Sequence, residues 1–261
     1  MDIAIIGAGD FGMRLAALRA TAGDAVTALR RRALPMPAGV RAAYGDLQSE
    51  ADLRRLPPQP DWLVFCATPD ARDEAAYRRL YVDGLARAMR VLQPRRVLLV
   101  SSTAVYAQDA GEWVDEDSIA AAQAFNGRIL LEAEAHCLQR PENRVLRLSG
   151  IAGPGRRMLV NRALLGEGVA DVWSNRIHID DAAAAAAHLL DAPGDAPVWI
   201  ASDDEPARQR EVANWIRARH GLAPLPDTGV PVRGRRVCNA RLRAAGWRPN
   251  YPSYRETYAD A

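Results

Sequence analysis

The sequence predicts an α/β fold: a doubly wound, mostly parallel sheet with a small C-terminal portion after it. Two observations carry that prediction. Short apolar runs alternate with longer helical stretches over the first 150 residues, the pattern of strands joined by crossover helices. The first of those runs also passes straight into a glycine-rich turn, Gly7 to Gly12. At 261 residues the chain is long enough for one such domain and an appendage.

Taken in order, Ile3 to Ile6 is an apolar strand, and a helix follows the glycines from about Asp10 to Ala22. Ala25 to Leu29 is the second strand and Val40 to Tyr44 the third. Trp62 to Ala67 is the fourth, followed by one long helix from about Asp73 to Leu92. Val97 to Ser101 is the fifth, Phe125 to Gln139 is helical, and Arg144 to Leu148 is the sixth. After Gly150 the pattern loosens. Gly153-Pro154-Gly155 breaks the chain, and Ile179 to Leu190 is an alanine-rich helix that Asp180 or Asp181 is placed to cap. A short strand at Val198 to Ala201, a helix near Ala207 to His220 and a tail rich in Pro and Arg complete the chain. The expected division is a dinucleotide-binding domain over 1–150, with 172–200 returning to it, and a small substrate-binding portion over 151–261.

Composition excludes several classes. A net charge of +2, with 34 basic and 32 acidic residues, gives no case for nucleic-acid binding. No apolar run approaches the roughly 20 residues of a membrane span. The chain enters a strand directly after Met1-Asp2, so no leader peptide is expected and the expected location is cytoplasmic. Cys66, Cys137 and Cys238 are odd in number and far apart, which fits neither a disulfide framework nor a zinc site. Every basic side chain apart from the four histidines is arginine, so no chemistry that needs a lysine ammonium is available.

The run Gly-Ala-Gly-Asp-Phe-Gly at Gly7 to Gly12 is a G-x-G-x-x-G between a strand and a helix. In that context the first glycine permits the tight turn, the second lets backbone approach a pyrophosphate, and the third lets helix and strand pack closely. The helix N-terminus then offers free amides to the phosphates. These features predict a Rossmann-type nicotinamide dinucleotide site. An acidic residue after the second strand would select NAD, but the strand ends in Arg30, Arg31 and Arg32, and Asp24 lies at its other end. Guanidinium forks bind phosphate bidentately, so NADP is expected ahead of NAD, with Arg30 and Arg31 reading the 2′-phosphate.

The fifth strand runs into Ser101-Ser102-Thr103-Ala104-Val105-Tyr106-Ala107. With both motifs placed, the chain resembles the short-chain dehydrogenase/reductase superfamily in its NAD-dependent epimerase/dehydratase branch, over nearly its whole length. It looks closest to atypical members that carry an Asn-Gly-Arg run where others carry a catalytic tyrosine. The resemblance implies that Gly7, Gly9, Asp10, Phe11 and Gly12 form the cofactor cradle and that Asp46 and Leu47 border the adenine. It further implies that Ala67 and Thr68 line the nicotinamide ribose and that Leu148, Ser149, Gly150 and Ile151 pass behind the nicotinamide ring. Ser102 matches the substrate-facing hydroxyl. His178 matches no catalytic duty and reads as a packed or capping residue.

One departure is severe. Such enzymes use a Tyr-x-x-x-Lys pair on the helix after this motif, and counting back from Glu134 places the pair at Asn126 and Leu130. Neither residue moves a proton. An unperturbed tyrosine ionises near pH 10, so Tyr106 needs a nearby cation to substitute. Three answers stay open: Tyr106 acting with Arg128 or the cofactor ring, a proton carried by substrate or water, or no proton transfer at all. The expected function is an NADP-dependent oxidoreductase or epimerase-like enzyme on a small carbonyl, hydroxyl or sugar-related substrate, with Ser102 and Tyr106 as its catalytic hydroxyls. The alternative is a non-catalytic NADP-binding regulator or redox sensor. Tyr77 and Tyr81, one helical turn apart, mark either a homodimer face or packing on the protein's own sheet.

Overall fold

A computed structural model describes residues 1–192, 196–227 and 229–260. The chain begins β1 (Asp2–Ile6), α1 (Asp10–Thr21), β2 (Ala25–Arg30), β3 (Val40–Tyr44), α2 (Glu50–Leu53) and β4 (Trp62–Phe65). It continues through α3 (Glu74–Tyr77), a π-helical turn (Arg78–Gly84), α4 (Leu85–Leu92), β5 (Arg96–Ser102), a 3₁₀ turn (Thr103–Val105), β6 (Ala110–Val114) and α5 (Phe125–Cys137). Then come β7 (Arg144–Leu148), β8 (Gly150–Ala152), α6 (Met158–Leu165), β9 (Trp173–Ser174), β10 (Arg176–His178) and α7 (Ile179–Asp191). The last elements are β11 (Val198–Ala201), β12 (Ala207–Arg208), α8 (Gln209–Arg219), β13 (Gly234–Val237), α9 (Ala240–Ala244) and α10 (Tyr254–Thr257).

Seven strands form one sheet in the order β11-β7-β5-β4-β1-β2-β3, and the pairs β1–β2, β2–β3, β1–β4 and β4–β5 are parallel. Trp62, Leu63, Val64 and Phe65 are all fully buried, as a strand covered on both faces requires. That is why β1, β4 and β5 read as unbroken apolar runs. From β1 the chain builds outward to β3, then returns to β1's other side to start β4, so the strand order reverses between β1 and β4. Open parallel sheets bind ligands at the carboxyl ends of such a switch point.

The chain divides into two compact units. The first holds residues 1–106, 120–147 and 183–199, and the second holds 107–119, 148–182 and 200–261. Residues 107–119, expected in the first domain, therefore belong to the second unit. Inside the second unit, β8 pairs with β10 and β6 with β13 in parallel, while β9 and β12 pair antiparallel. Its core gathers Val160 and Ala163 of α6, Val212, Ala213 and Ile216 of α8, and Tyr254 and Tyr258.

Two local expectations are corrected. The helix expected over Asp73 to Leu92 is not uniform: α3 and α4 flank a π-helical turn, and a Cβ on Gly84 would come within 2.8 Å of Leu47 Cδ2. Asp181 does not cap α7. Its carboxylate accepts the backbone amides of Asn250 and Tyr251, both at 2.8 Å. His178 does the capping, its Nδ1 accepting the Asp180 amide at 3.3 Å while its ring stacks 3.6 Å from that of Tyr251.

Candidate active site

The glycine loop opens between β1 and α1, and its three motif glycines lack side chains for different reasons. Gly7 has φ +106°, and a Cβ there would collide with the backbone of Ala67. A Cβ on Gly12 would collide with the Gly7 carbonyl, so this glycine lets α1 lie close to β1. Gly9 has φ −80° and ψ −162°, which any residue adopts, and a Cβ on it would meet nothing within 4 Å. No feature of the fold demands glycine there. The open space before it, at the start of α1, is what an approaching pyrophosphate needs. Gly9 provides no side-chain cap for α1, so a ligand approaching this helix end meets no capping side chain from it. On these grounds the residues fit a dinucleotide.

Around that loop, Ala67 lies against Gly7, and Thr68 is exposed one residue further along. Cys66 sits beneath the loop, its thiol donating to the Gly7 carbonyl at 3.4 Å, and burial pushes the thiol up to about 12. Asp10 is exposed and pairs with Arg14 at 2.8 Å, while Phe11 is buried. At the end of β2, Arg30 leaves a buried Nε with no hydrogen-bond partner among the described residues. Arg31 forms a two-pronged ion pair with Asp70, one prong at 2.5 Å, and both side chains are exposed. Asp46 follows β3 and accepts the Gln48 amide, and Leu47 is buried. The loop, Arg30, Arg31, Ala67 and Thr68 thus gather at the carboxyl ends of β1, β2 and β4. Leu148, Ser149, Gly150 and Ile151 fall in the second unit, where Gly150 and Ile151 lie opposite Arg176 and Ile177 in the β8–β10 pair.

Ser102 ends β5, and its Oγ accepts the Ala104 amide at 3.2 Å, which starts the 3₁₀ turn. Tyr106 is buried, with its hydroxyl accepting from Arg147 Nη1 at 2.8 Å and the guanidinium carbon 5.1 Å from its ring centre. Arg147 also donates Nε and Nη2 to Glu134, at 3.1 and 2.6 Å, and Ser101 donates to the same carboxylate at 2.5 Å. Burial alone would lower the Arg147 guanidinium, but Glu134 and Tyr106 outweigh it and hold it raised. The cation beside Tyr106 is therefore Arg147. Arg128, one of the two partners the sequence left open for Tyr106, points its guanidinium at the Gln123 carbonyl, 2.5 Å away. Arg147 was legible only as a charge inside an apolar strand; its partner Glu134 lies on another element.

Gly127, the centre of the Asn-Gly-Arg run, has a concrete use: a Cβ there would lie 2.5 Å from the Ala104 carbonyl oxygen. This glycine lets α5 pack against the loop that carries Ser102 and Tyr106. Leu130, at the position of the usual lysine, is buried in the core. Tyr77 packs on Tyr81 at 5.6 Å and edge-on to Phe125 at 5.4 Å, so both tyrosines make contacts inside their own unit. Among the described residues there is no metal-binding cluster, and no helix is long and apolar enough to cross a membrane.

No family model and no curated protein matches the chain. Solved structures do. One, described as an NAD-dependent epimerase/dehydratase from Methylobacillus flagellatus, is 36% identical with a TM-score of 0.85, covering 99% of this chain and 96% of that one. The Bordetella bronchiseptica enzyme WbmG, in complex with NAD, is 20% identical with a TM-score of 0.78, covering 98% and 92%. UDP-glucuronic acid 4-epimerase from Bacillus cereus, also with NAD, is 16% identical with a TM-score of 0.76, covering 98% and 96%. The last two share the fold. Identity and coverage with the first, together with the glycine loop and the serine–tyrosine turn, place this chain in the NAD-dependent epimerase/dehydratase family.

Proposed function

We propose that the chain binds a nicotinamide dinucleotide at Gly7 to Gly12 and uses it for oxidoreductase or epimerase-like chemistry on a hydroxyl or carbonyl of a sugar-related substrate. The observation that carries the reading is Gly9, a glycine with ordinary backbone angles and open space where its side chain would be. The bound cofactor would supply hydride transfer. Ser102, at the carboxyl end of β5, would orient the reacting oxygen, and Tyr106 would work only through the Arg147 guanidinium that already holds its hydroxyl. Sugar nucleotides are named for the epimerase of the same fold, which supports that substrate class. Arg30 and Arg31 support NADP as a ligand, and the two fold neighbours described above carry NAD.

A second reading, a dinucleotide-binding regulator without turnover, is favoured by Asn126 and the buried Leu130 at the positions of the missing acid/base pair. Titrating NADP⁺ and NAD⁺ by calorimetry against wild type and Gly9→Val tests the shared premise. The variant is expected to lose both ligands while keeping a native circular dichroism spectrum. Retained affinity in that variant would show that the loop is not the phosphate site. Oxidation of bound NADPH or NADH by any member of a panel of carbonyl compounds and sugar nucleotides then selects the enzyme, and silence across the panel selects the regulator.

A further inference from the structure

The residue after β2 normally decides between the two dinucleotides, and here it is arginine. The structure adds a carboxylate that no sequence rule places there. Arg31 follows the last residue of β2, and Asp70 lies in the loop after β4. In the parallel sheet β1 stands between those two strands, and its carboxyl end carries the glycine loop. The Arg31–Asp70 ion pair therefore bridges from one neighbour of β1 to the other, across the end of the strand where a dinucleotide would lie. The pairing is a fork, with each guanidinium nitrogen on its own carboxylate oxygen. That is the same donor geometry with which arginine grips a phosphate. The guanidinium holds the Asp70 carboxyl below its ordinary range, so the group is charged at neutral pH.

We propose that Asp70 is an intramolecular competitor for the 2′-phosphate: it occupies the fork of Arg31 and so sets how far the protein prefers NADP over NAD. The inference rests on dinucleotide binding at the glycine loop, as proposed above. Two physical effects act in the same direction. To reach Arg31, a 2′-phosphate must displace a carboxylate that already satisfies both prongs, and it meets that carboxylate's negative charge while doing so. A ribose 2′-hydroxyl does neither, so NAD is indifferent to the pair. Both side chains are more than half exposed, which keeps the competing pair weak enough to exchange. Replacing either leaves the core untouched. Arg30 sits one residue earlier with its buried Nε unpartnered, and supplies a second guanidinium that Asp70 does not engage.

The test is a binding titration of NADP⁺ and NAD⁺, and of the fragments 2′,5′-ADP and ADP that differ only in the 2′-phosphate, against wild type, Asp70→Asn and Arg31→Ala. Asp70→Asn is expected to tighten NADP⁺ and 2′,5′-ADP about threefold to fivefold, as removal of one exposed opposing charge implies, with NAD⁺ and ADP unchanged within about twofold. That gain should shrink in high salt, where exposed charges are screened, and should vanish when Arg31→Ala is combined with Asp70→Asn. If both dinucleotides bind and their ratio is the same in wild type and Asp70→Asn, the competitor role is overturned while the dinucleotide reading stands. If wild type binds neither, the dinucleotide reading is overturned and this inference falls with it.

Discussion

Tyr106 and Asp203 are both buried polar residues beside an arginine, and they differ in how completely that arginine satisfies them. The Tyr106 hydroxyl meets Arg147 at 2.8 Å, and the rest of that guanidinium is held by Glu134. If the phenol carries the proton in place of the missing pair, Tyr106→Phe should slow single-turnover oxidation of bound NADPH by about 10²-fold or more, the ordinary loss for a positioned acid. Ser102→Ala should slow it as well. Rates within twofold of wild type in both variants would make the hydroxyls structural. Asp203 is fully buried in the second unit; Arg176 reaches only its Oδ2, at 3.3 Å, and Oδ1 has no partner among the described residues. Burial lifts its carboxyl from 3.8 to about 7, against the opposing pull of Arg176 and with Asp204 and Glu205 adding to the rise. The folded chain thus keeps a proton that the unfolded chain releases near pH 4. The stability this gives is complete below that pH and is lost as pH rises through 7, by at most about 1.4 kcal/mol per pH unit. Urea denaturation should show Asp203→Asn gaining on wild type between pH 4.5 and 8; parallel pH profiles would refute the assignment. The glycine loop was legible at this scale because its chemistry is local. The Arg147–Glu134–Tyr106 contacts were not, since three separate elements supply them.

Elements were legible where their period was regular. The strands Ile3–Ile6 and Ala25–Leu29 come within a residue of the observed bounds, because buried parallel strands are runs of apolar residues, and the edge strand Val40–Tyr44 matches its bounds although only Ala43 in it is buried. The π-helical turn between α3 and α4 left no trace in the pattern of apolar residues, and the space Gly84 leaves for Leu47 is a property of two elements together. The α7 N-terminus shows the opposite error. Two aspartates at the start of a helix read as caps, yet Asp181 is spent on the tail. Asp181→Ala would strip the acceptor from two backbone amides at once, at a cost of about 2 kcal/mol or more. Hydrogen exchange at Asn250 and Tyr251 is expected to rise well before global unfolding, and unchanged protection there would show that the tail is held elsewhere.

At the level of the whole molecule, the sequence placed the mostly parallel sheet correctly, and its expected division was a boundary at residue 150 with 172–200 returning to the first part. The observed units each use three separate stretches of chain. Alternation of strands and helices betrays a sheet, but which loop residues join which unit depends on contacts that periodicity does not encode. The order of strands carries a further consequence for synthesis on the ribosome. β7 is buried along its whole length, and in the sheet it lies between β5 and β11. Its outer neighbour β11 begins only at Val198, so translation of the segment from Leu148 to Val198 takes roughly 3–10 s at common elongation rates. During that interval the outer edge of β7, Arg-Val-Leu-Arg-Leu, has no strand to pair with, and an unpaired edge is a template for pairing with another chain. A newly made molecule is thus exposed to aggregation before its tail exists, and a chaperone acting on the nascent chain would find its target at Arg144 to Leu148.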